Sequence, residues 1–342
     1  MRKIPMQERL FIIKNNTHYL NVKNYIKAKP MANNYIFLTI GKFKGYQNFI
    51  ETIKNDHELE LFGIIFTNKS SRFKDYWKLM KNVSYIKKHA SKHKHFDEII
   101  FTNYKFFLHH SIINHFNFNK IVLLSDGAGI IVMANYRKNH NSLPLHLIPL
   151  GRNKFLRERI LKIKPIERLH FYTQIKLDIA EWDSQEIFKF ETSKIGAVNS
   201  KKVYFVGSPM VELGFIDLNT KIKYLEQIFS YYKEHEVYYF PHRRESNKYL
   251  ECYSFMQIMP ESTIPFEKRM ELKSELPGTI ISFVSSVIIN LAPIYPNIKF
   301  LYFPLSNLDL KPDEDFRKKY GVMIEGFESL NNANFSKFPR EK

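Results

Sequence analysis

The segment Tyr239-Phe240-Pro241-His242-Arg243-Arg244-Glu245 closes an apolar, β-forming run, Val237-Tyr238-Tyr239-Phe240, with an imidazole and two guanidinium groups. If that run is a strand of a parallel sheet, these groups stand at its carboxyl edge, where open α/β sheets bind their ligands. Three other runs close in the same manner, before Ser125-Asp126-Gly127, before Gly207-Ser208-Pro209 and before Ser285-Ser286. A single histidine in a turn is as often structural as functional, but four such strand ends can collapse into one site between two domains. Hydroxyls, a carboxylate, an imidazole and backbone bared by glycine would then face a common ligand.

The elements that must deliver these residues follow from hydrophobic periodicity. In the N-terminal half, strands are expected over Leu10–Ile13, Tyr35–Ile40, Leu59–Phe66, Glu98–Thr102 and Lys120–Leu124. Helices are expected over Tyr19–Ala28, Tyr46–Lys54, Phe73–Met80 and Tyr104–Phe116. The pattern resumes near Lys201, with strands at Val203–Val206, before His242, at Thr279–Val284 and at Ile298–Phe303. Helices are expected over Ile222–Tyr232, around Asp315–Tyr320, and after Ser246, which can cap a helix carrying Tyr249, Leu250 and Tyr253. Alternation at these lengths predicts mostly parallel sheets with crossover helices. The expected architecture is two doubly wound α/β domains flanking a cleft, residues 1–190 and 191–342, the second ending in a return helix that periodicity does not place.

Composition narrows the classes. A chain of 342 residues with 44% apolar content can bury two cores of ordinary size. No run of about eighteen uncharged apolar residues is present to span a bilayer. The start MRKIPMQERL runs into a strand rather than a signal-peptide core, and Cys252 is the single cysteine, so a cytoplasmic location is expected. The net charge of +18 attracts anions, and nineteen Lys/Arg against eight Asp/Glu fall in the first hundred residues. Lys87–Phe96, KKHASKHKHF, reads as a solvated basic loop. His89, His93 and His95 within it have neither cysteines nor close carboxylates to make a metal site. Arg152–Lys164, RNKFLRERILKIK, has helical spacing of Phe155, Leu156, Ile160 and Leu161, which suits either packing on the protein or lying on an anionic inner membrane surface. Neither stretch has a nucleic-acid-binding signature, and nucleic acid is not expected as a partner. GxGxxG and GxxxxGK[ST] are absent, and Gly127-Ala128-Gly129 alone names no cofactor.

With these motifs the chain resembles bacterial sialyltransferases of lipooligosaccharide and capsule synthesis, glycosyltransferase family 52, and the related capsular polysialyltransferases. Leu123–Gly129, LLSDGAG, looks like their acidic-acidic-Gly motif, YFPHRRE like their His-Pro motif, and SFVSS at Ser282–Ser286 like their Ser/Thr-rich motif. Gly207-Ser208-Pro209 resembles the family-52 pattern. Ser125 stands in place of the first acid and Arg243 in place of the proline. The resemblance implies a GT-B enzyme that uses CMP-sialic acid as donor and inverts the anomeric centre. It further implies an oligosaccharide acceptor on a surface-glycan precursor, with terminal galactose and an α-2,3 linkage as the leading choices.

The same resemblance assigns roles. A carboxylate accepts the acceptor hydroxyl's proton, with Asp126 the first candidate and Glu212 the rival. His242 as an imidazolium, or Arg243, stabilises the leaving phosphate. Ser285 and Ser286 bind phosphate at a helix start, and Gly207 and Ser208 let the donor approach the backbone. Glu267 engages a ribose hydroxyl or lies on the surface or at a helix N-terminus, and His18 enters the acceptor side or faces solvent. Helix capping and turn formation are the structural alternatives for Asp126 and the serines. No obligatory cofactor or metal is implied, and an oligomer is left open. The competing functions are a sialidase, a transferase using another sugar nucleotide, and a non-enzymatic binder of anionic polysaccharide or membrane.

Overall fold

The computed structural model describes residues 6–42, 45–67, 72–125, 127–149, 152–188, 196–262, 264–311, 313–330 and 333–339. The chain divides into two compact units: residues 1–126, 133–173 and 179–186 form the first, and residues 127–132, 174–178 and 187–342 the second. Asp126 lies outside the described residues.

The first unit runs β1 (Gln7–Ile13), α1 (Asn16–Ala28), β2 (Ala32–Ile40), α2 (Tyr46–Lys54), β3 (Glu60–Phe66), α3 (Arg72–Lys92), β4 (His95–Phe101), α4 (Phe107–Ile113) and β5 (Asn117–Leu124). The helix α5 (Gly129–Arg137) follows, its residues up to Val132 belonging to the second unit, and then strands β6 (His170–Thr173) and β7 (Ser184–Ile187). The sheet order is β3-β2-β1-β4-β5-β6-β7, and the pairings from β3 to β6 are parallel. Leu10 to Ile13 are fully buried in succession, as a strand covered on both faces requires. The helix α1 starts where Asn15 accepts a hydrogen bond from the His18 N–H at 3.0 Å.

Several boundaries differ from those expected, each for a tertiary reason. The helix α3 runs to Lys92 because Leu79, Val83 and Ile86 continue one buried stripe. Lys87–Lys92 of the expected basic loop are therefore helical, and His95 and Phe96 begin β4. The helix α4 is shorter than the Tyr104–Phe116 span, because Phe116 leaves it to pack against Phe62 and Phe96. Arg152–Lys164 is helical only over residues 154–160, with Leu156–Ile160 in the wider π form, and it does not present the expected apolar face: Phe155 is exposed, and beyond the helix Lys162 adopts φ 52° while Leu156, Leu161 and Ile163 are buried.

Several polar groups in this unit's interior are paired. Arg137 and Asp183 form a fully buried bidentate pair at 2.6 Å, and Arg137 also donates to the Ile166 carbonyl at 3.0 Å and the Tyr104 hydroxyl at 3.2 Å. His110 donates from Nε2 to the Tyr104 carbonyl at 2.6 Å, and burial pushes its pKa down to about 4. His18 is buried rather than solvent-facing: its Nδ1 lies 2.7 Å from the Thr102 hydroxyl, and burial and Lys14 push its pKa down to about 3.

The second unit contains β8 (Ala197–Val206), α6 (Leu218–Tyr231), β9 (Glu236–Phe240), α7 (Asn247–Leu250), β10 (Gln257–Ile258), α8 (Phe266–Glu271) and β11 (Glu275–Ser282). It continues with α9 (Ser286–Leu291), β12 (Lys299–Tyr302), α10 (Glu314–Glu328) and β13 (Phe335–Lys337). Its sheet order is β10-β9-β8-β11-β12-β13, all parallel. Phe205, Tyr239, Ile281, Leu301 and Phe303 form the centre of its core. The helix after Ser246 is one turn followed by a tighter turn to Tyr253, and the Ser246 side chain does not cap it. Asp313 caps α10 through the Phe316 N–H, and that helix extends to Glu328, well past the expected span.

Replacing Asp183 with Asn leaves Arg137 buried without its counter-charge and should lower the stability of the first unit by about 3–5 kcal/mol in urea unfolding. The buried histidines give a pH signature. His110 is neutral when folded and takes a proton more readily when unfolded, so its contribution is complete above its ordinary pKa of 6.5. That contribution is lost as pH falls toward about 4, an acid destabilisation of about 3 kcal/mol from this residue that unfolding at pH 7.5 and pH 4.5 would detect.

Candidate active site

Three of the motif segments leave one edge of the second sheet side by side. The strands β9, β8 and β11 are neighbours, with Val206 opposite Phe240 and Ile281 opposite Phe205. Gly207-Ser208, Pro241-His242 and the segment up to Ser285-Ser286 thus emerge together at the carboxyl edge. The chain turns to opposite sides of β8 on its way to β9 and to β11, and such a switch point is where doubly wound sheets open a binding crevice. The Gly207 N–H donates to the Phe240 carbonyl at 2.9 Å, and the Ser282 hydroxyl donates to the Val206 carbonyl at 2.8 Å, tying the three strand ends together.

A buried ion pair that periodicity does not reveal holds the edge in place. Lys221 of α6 and Glu245 of the histidine turn pair with side chains 0% and 1% exposed. Lys221 also donates to the Ser208 carbonyl at 3.1 Å. Glu245 further accepts from the Tyr239 hydroxyl and from the His242 N–H, both at 2.7 Å. Gly207 makes room for this arrangement: a Cβ there would overlap the Glu245 carboxylate and lie 2.8 Å from the Tyr239 hydroxyl. One clue to Lys221 is in the sequence, since it falls on the same helical stripe as the buried Tyr224, Leu225 and Ile228.

His242 follows from that scaffold. Its Nδ1 accepts the Arg244 N–H at 3.1 Å, so the proton of the neutral ring sits on Nε2. Burial, with the charges of Arg243 and Arg244, pushes its pKa down to about 4, against an opposing pull from Glu212. The imidazolium expected from the sequence is thus a neutral imidazole at pH 7, able to donate a hydrogen bond from Nε2. The Ser208 hydroxyl is buried and has no hydrogen-bond partner, leaving a donor unused at the same edge. Arg243 is exposed beside it.

The remaining candidates divide. Glu212 accepts the Ser246 N–H at 2.8 Å through Oε1, a structural task, while its Oε2 is buried without a partner. Ser285 caps α9, its hydroxyl accepting from the Val287 N–H at 3.2 Å. Ser286 abuts Gly127, whose φ of 94° and contact with Ser286 both exclude a side chain. Glu267 stands at the helix N-terminus, in the first turn of α8, rather than on the surface: it is half-buried, accepts from Asn290 of α9 at 3.2 Å, and burial raises its pKa. His18, in the first unit, lies in the interior network given above. Among the described residues, no three His, Cys, Asp or Glu side chains lie together as a metal site would require. Neutral hydroxyl and imidazole donors beside an exposed guanidinium suit an anionic oxygen cluster such as a phosphate.

Lys221→Ala would leave Glu245 buried without its counter-charge and should cost about 3–5 kcal/mol in urea unfolding. Pairing Lys221→Met with Glu245→Gln should restore part of that loss. Gly207→Ala should destabilise by the same route, through displacement of the Glu245 carboxylate, and an unchanged unfolding midpoint would contradict this account of the edge.

Among solved structures, the spinosyn forosaminyltransferase SpnP aligns with a TM-score of 0.52 at 10% identity, covering 96% of this chain and 87% of that one. The lipopolysaccharide outer core galactosyltransferase WaaB aligns at 0.48 and 9% identity, covering 93% and 90% of the two chains. A UDP-L-rhamnose complex of an Arabidopsis thaliana enzyme aligns at 0.49 and 8% identity, covering 97% and 85%. No curated protein gives a significant sequence match. The fold is GT-B, with two parallel-sheet, Rossmann-like α/β units. The description of glycosyltransferase family 52 matches residues 30–300, which reaches from β1's neighbour β2 to β12 and includes all four motif segments, and the chain belongs to that family.

Proposed function

We propose that this protein is an inverting sialyltransferase that moves sialic acid from CMP-sialic acid to a terminal galactose of a surface glycan, with α-2,3 as the leading linkage. Glycosyl transfer itself follows from membership of family 52. The observation that carries the finer reading is the donor set at the carboxyl edge of β8, β9 and β11. There the unpartnered Ser208 hydroxyl, the His242 Nε2–H and the Arg243 guanidinium suit the phosphate of a nucleotide leaving group.

In this reading the acceptor hydroxyl attacks the anomeric carbon of sialic acid while the bond from that carbon to the phosphate oxygen breaks. CMP departs with the electron pair of that bond, and the hydroxyl proton passes to a carboxylate. Asp126 is the proposed base. Glu212 remains the rival, although its Oε1 already holds the Ser246 N–H. His242 acts by donating a hydrogen bond to the departing phosphate rather than a full charge, and Arg243 supplies the charge. Glu267 is proposed to reach a ribose hydroxyl, and Ser285 and Ser286 to line the phosphate's path through the start of α9. The reaction is placed in the cytoplasm, with the protein peripheral to the inner face of the membrane.

The purified protein should form a sialylated product from CMP-sialic acid with a terminal galactoside from a defined panel. Turnover of UDP-sugars without turnover of CMP-sialic acid would overturn the donor assignment, and release of free sialic acid with no glycan product would indicate a hydrolase. Asp126→Asn should lower kcat by about 10²-fold or more with little change in donor KM. His242→Gln, which keeps an N–H donor, should retain more activity than His242→Ala. Normal turnover by Asp126→Asn would remove it as the base.

A further inference from the structure

The first unit contains a second concavity, far in topology from any carboxyl strand edge. Because β5 and β6 are parallel neighbours, with Val122 opposite His170, the long connection after α5 must return to the amino-terminal edge of the sheet before entering β6. That connection and the end of α5 enclose a cavity of about 920 Å³. Its charges come from Arg157, Glu158, Lys164 and Glu167, and its wall includes Tyr136 and Leu145. Arg157 and Glu158 pair at 2.6 Å, and Tyr136 stacks on His140 with ring centroids 4.5 Å apart.

The segment that supplies Arg157 and Glu158 to the cavity is basic and apolar at once on its exposed surface. Between Arg152 and Lys164 there are six Lys/Arg and one acidic residue. The short helix and the bend after it bury Leu156, Leu161 and Ile163 and leave Arg152, Lys154, Arg159 and Lys164 exposed. Phe155, on the same turn, is 67% exposed, and Leu145 is 49% exposed. A soluble anion would satisfy the charges and leave both apolar side chains in water. An anionic bilayer surface satisfies both, because headgroup phosphates meet the basic groups while an aromatic ring enters the acyl boundary.

We propose that this amino-edge surface docks the protein on an anionic phospholipid leaflet, with a headgroup phosphate at the cavity mouth beside Arg157 and Lys164 and with Phe155 and Leu145 in the interface. The proposal gives a surface to the peripheral placement proposed above and is independent of the sugar donor.

The test is flotation of the full chain with vesicles of phosphatidylglycerol and phosphatidylethanolamine, and with vesicles of phosphatidylcholine alone, at about 0.15 M salt. Association is expected with the anionic vesicles only and should weaken as salt rises. The triple variant Arg152→Gln, Lys154→Gln, Arg159→Gln should reduce partitioning by about 100-fold, since each basic group near such a leaflet contributes roughly a factor of five. Phe155→Ser should reduce it separately by about tenfold. Thermal midpoints of both variants should match the parent, and turnover of a soluble galactoside should be unchanged, so failure of the donor reading leaves this result distinguishable. Equal binding to phosphatidylcholine, undiminished binding by either variant, or full competition by duplex DNA in place of lipid would each overturn the proposal.

Discussion

The carboxyl edge of the second unit depends on one buried charge pair. Lys221 and Glu245 are withdrawn from water, at a desolvation cost that only near-complete hydrogen bonding offsets. Lys221 meets Glu245 and the Ser208 carbonyl, and its ammonium lies 5.2 Å from the Tyr253 ring centroid. Glu245 meets Lys221, the Tyr239 hydroxyl and the His242 N–H. A pair of this kind adds little net stability compared with apolar packing, but it admits one geometry. It therefore sets where the Gly207-Ser208 turn stands against the histidine turn. Gly207 is the complement of that arrangement, since the carboxylate occupies the space where its side chain would be.

The protonation of His242 is a consequence. Arg243 and Arg244 flank it, partial burial disfavours charge, and its Nδ1 is engaged by the turn's own backbone. What faces outward is a neutral N–H. A phosphate arriving there brings the negative charge that would favour protonation, so the residue is suited to respond to its ligand rather than to carry a fixed charge. The first unit follows the same rule in its interior: Arg137 and Asp183 are buried together, and His18 and His110 are buried as neutral rings.

Much of this was legible in the residues. Alternating apolar runs located β1, β2, β3, β4 and β5, and α2 was read with its boundaries because its apolar stripe and its ends coincide. Elements failed where non-local packing took over. The helix α3 ran on because Val83 and Ile86 found a core, and α4 stopped because Phe116 found aromatic neighbours. The Arg152–Lys164 stretch had helical spacing and is helical over residues 154–160, but the helix ends there because Lys162 turns at φ 52° as Leu161 and Ile163 are drawn inward.

The sequence by itself determined the type of most elements from β1 to β5 and of β8, β9, β11 and β12, together with the α/β class, because backbone propensity, side-chain period and turn residues are local properties. The tertiary structure decided which strand ends stand together, since the order β9-β8-β11 is a matter of pairing across tens of residues. It also decided which polar residues are structural and which are available. Glu245 has no assignment in a linear chain, and the fold makes it the acceptor of the Tyr239 hydroxyl and the His242 N–H; Ser285 could bind phosphate or cap a helix, and the fold makes it the cap of α9. Ser208 reads as a turn residue, and the fold buries its hydroxyl without one. Burial and its partners fix the ionisation and hydrogen bonding of such groups, and neither exists before the chain has folded.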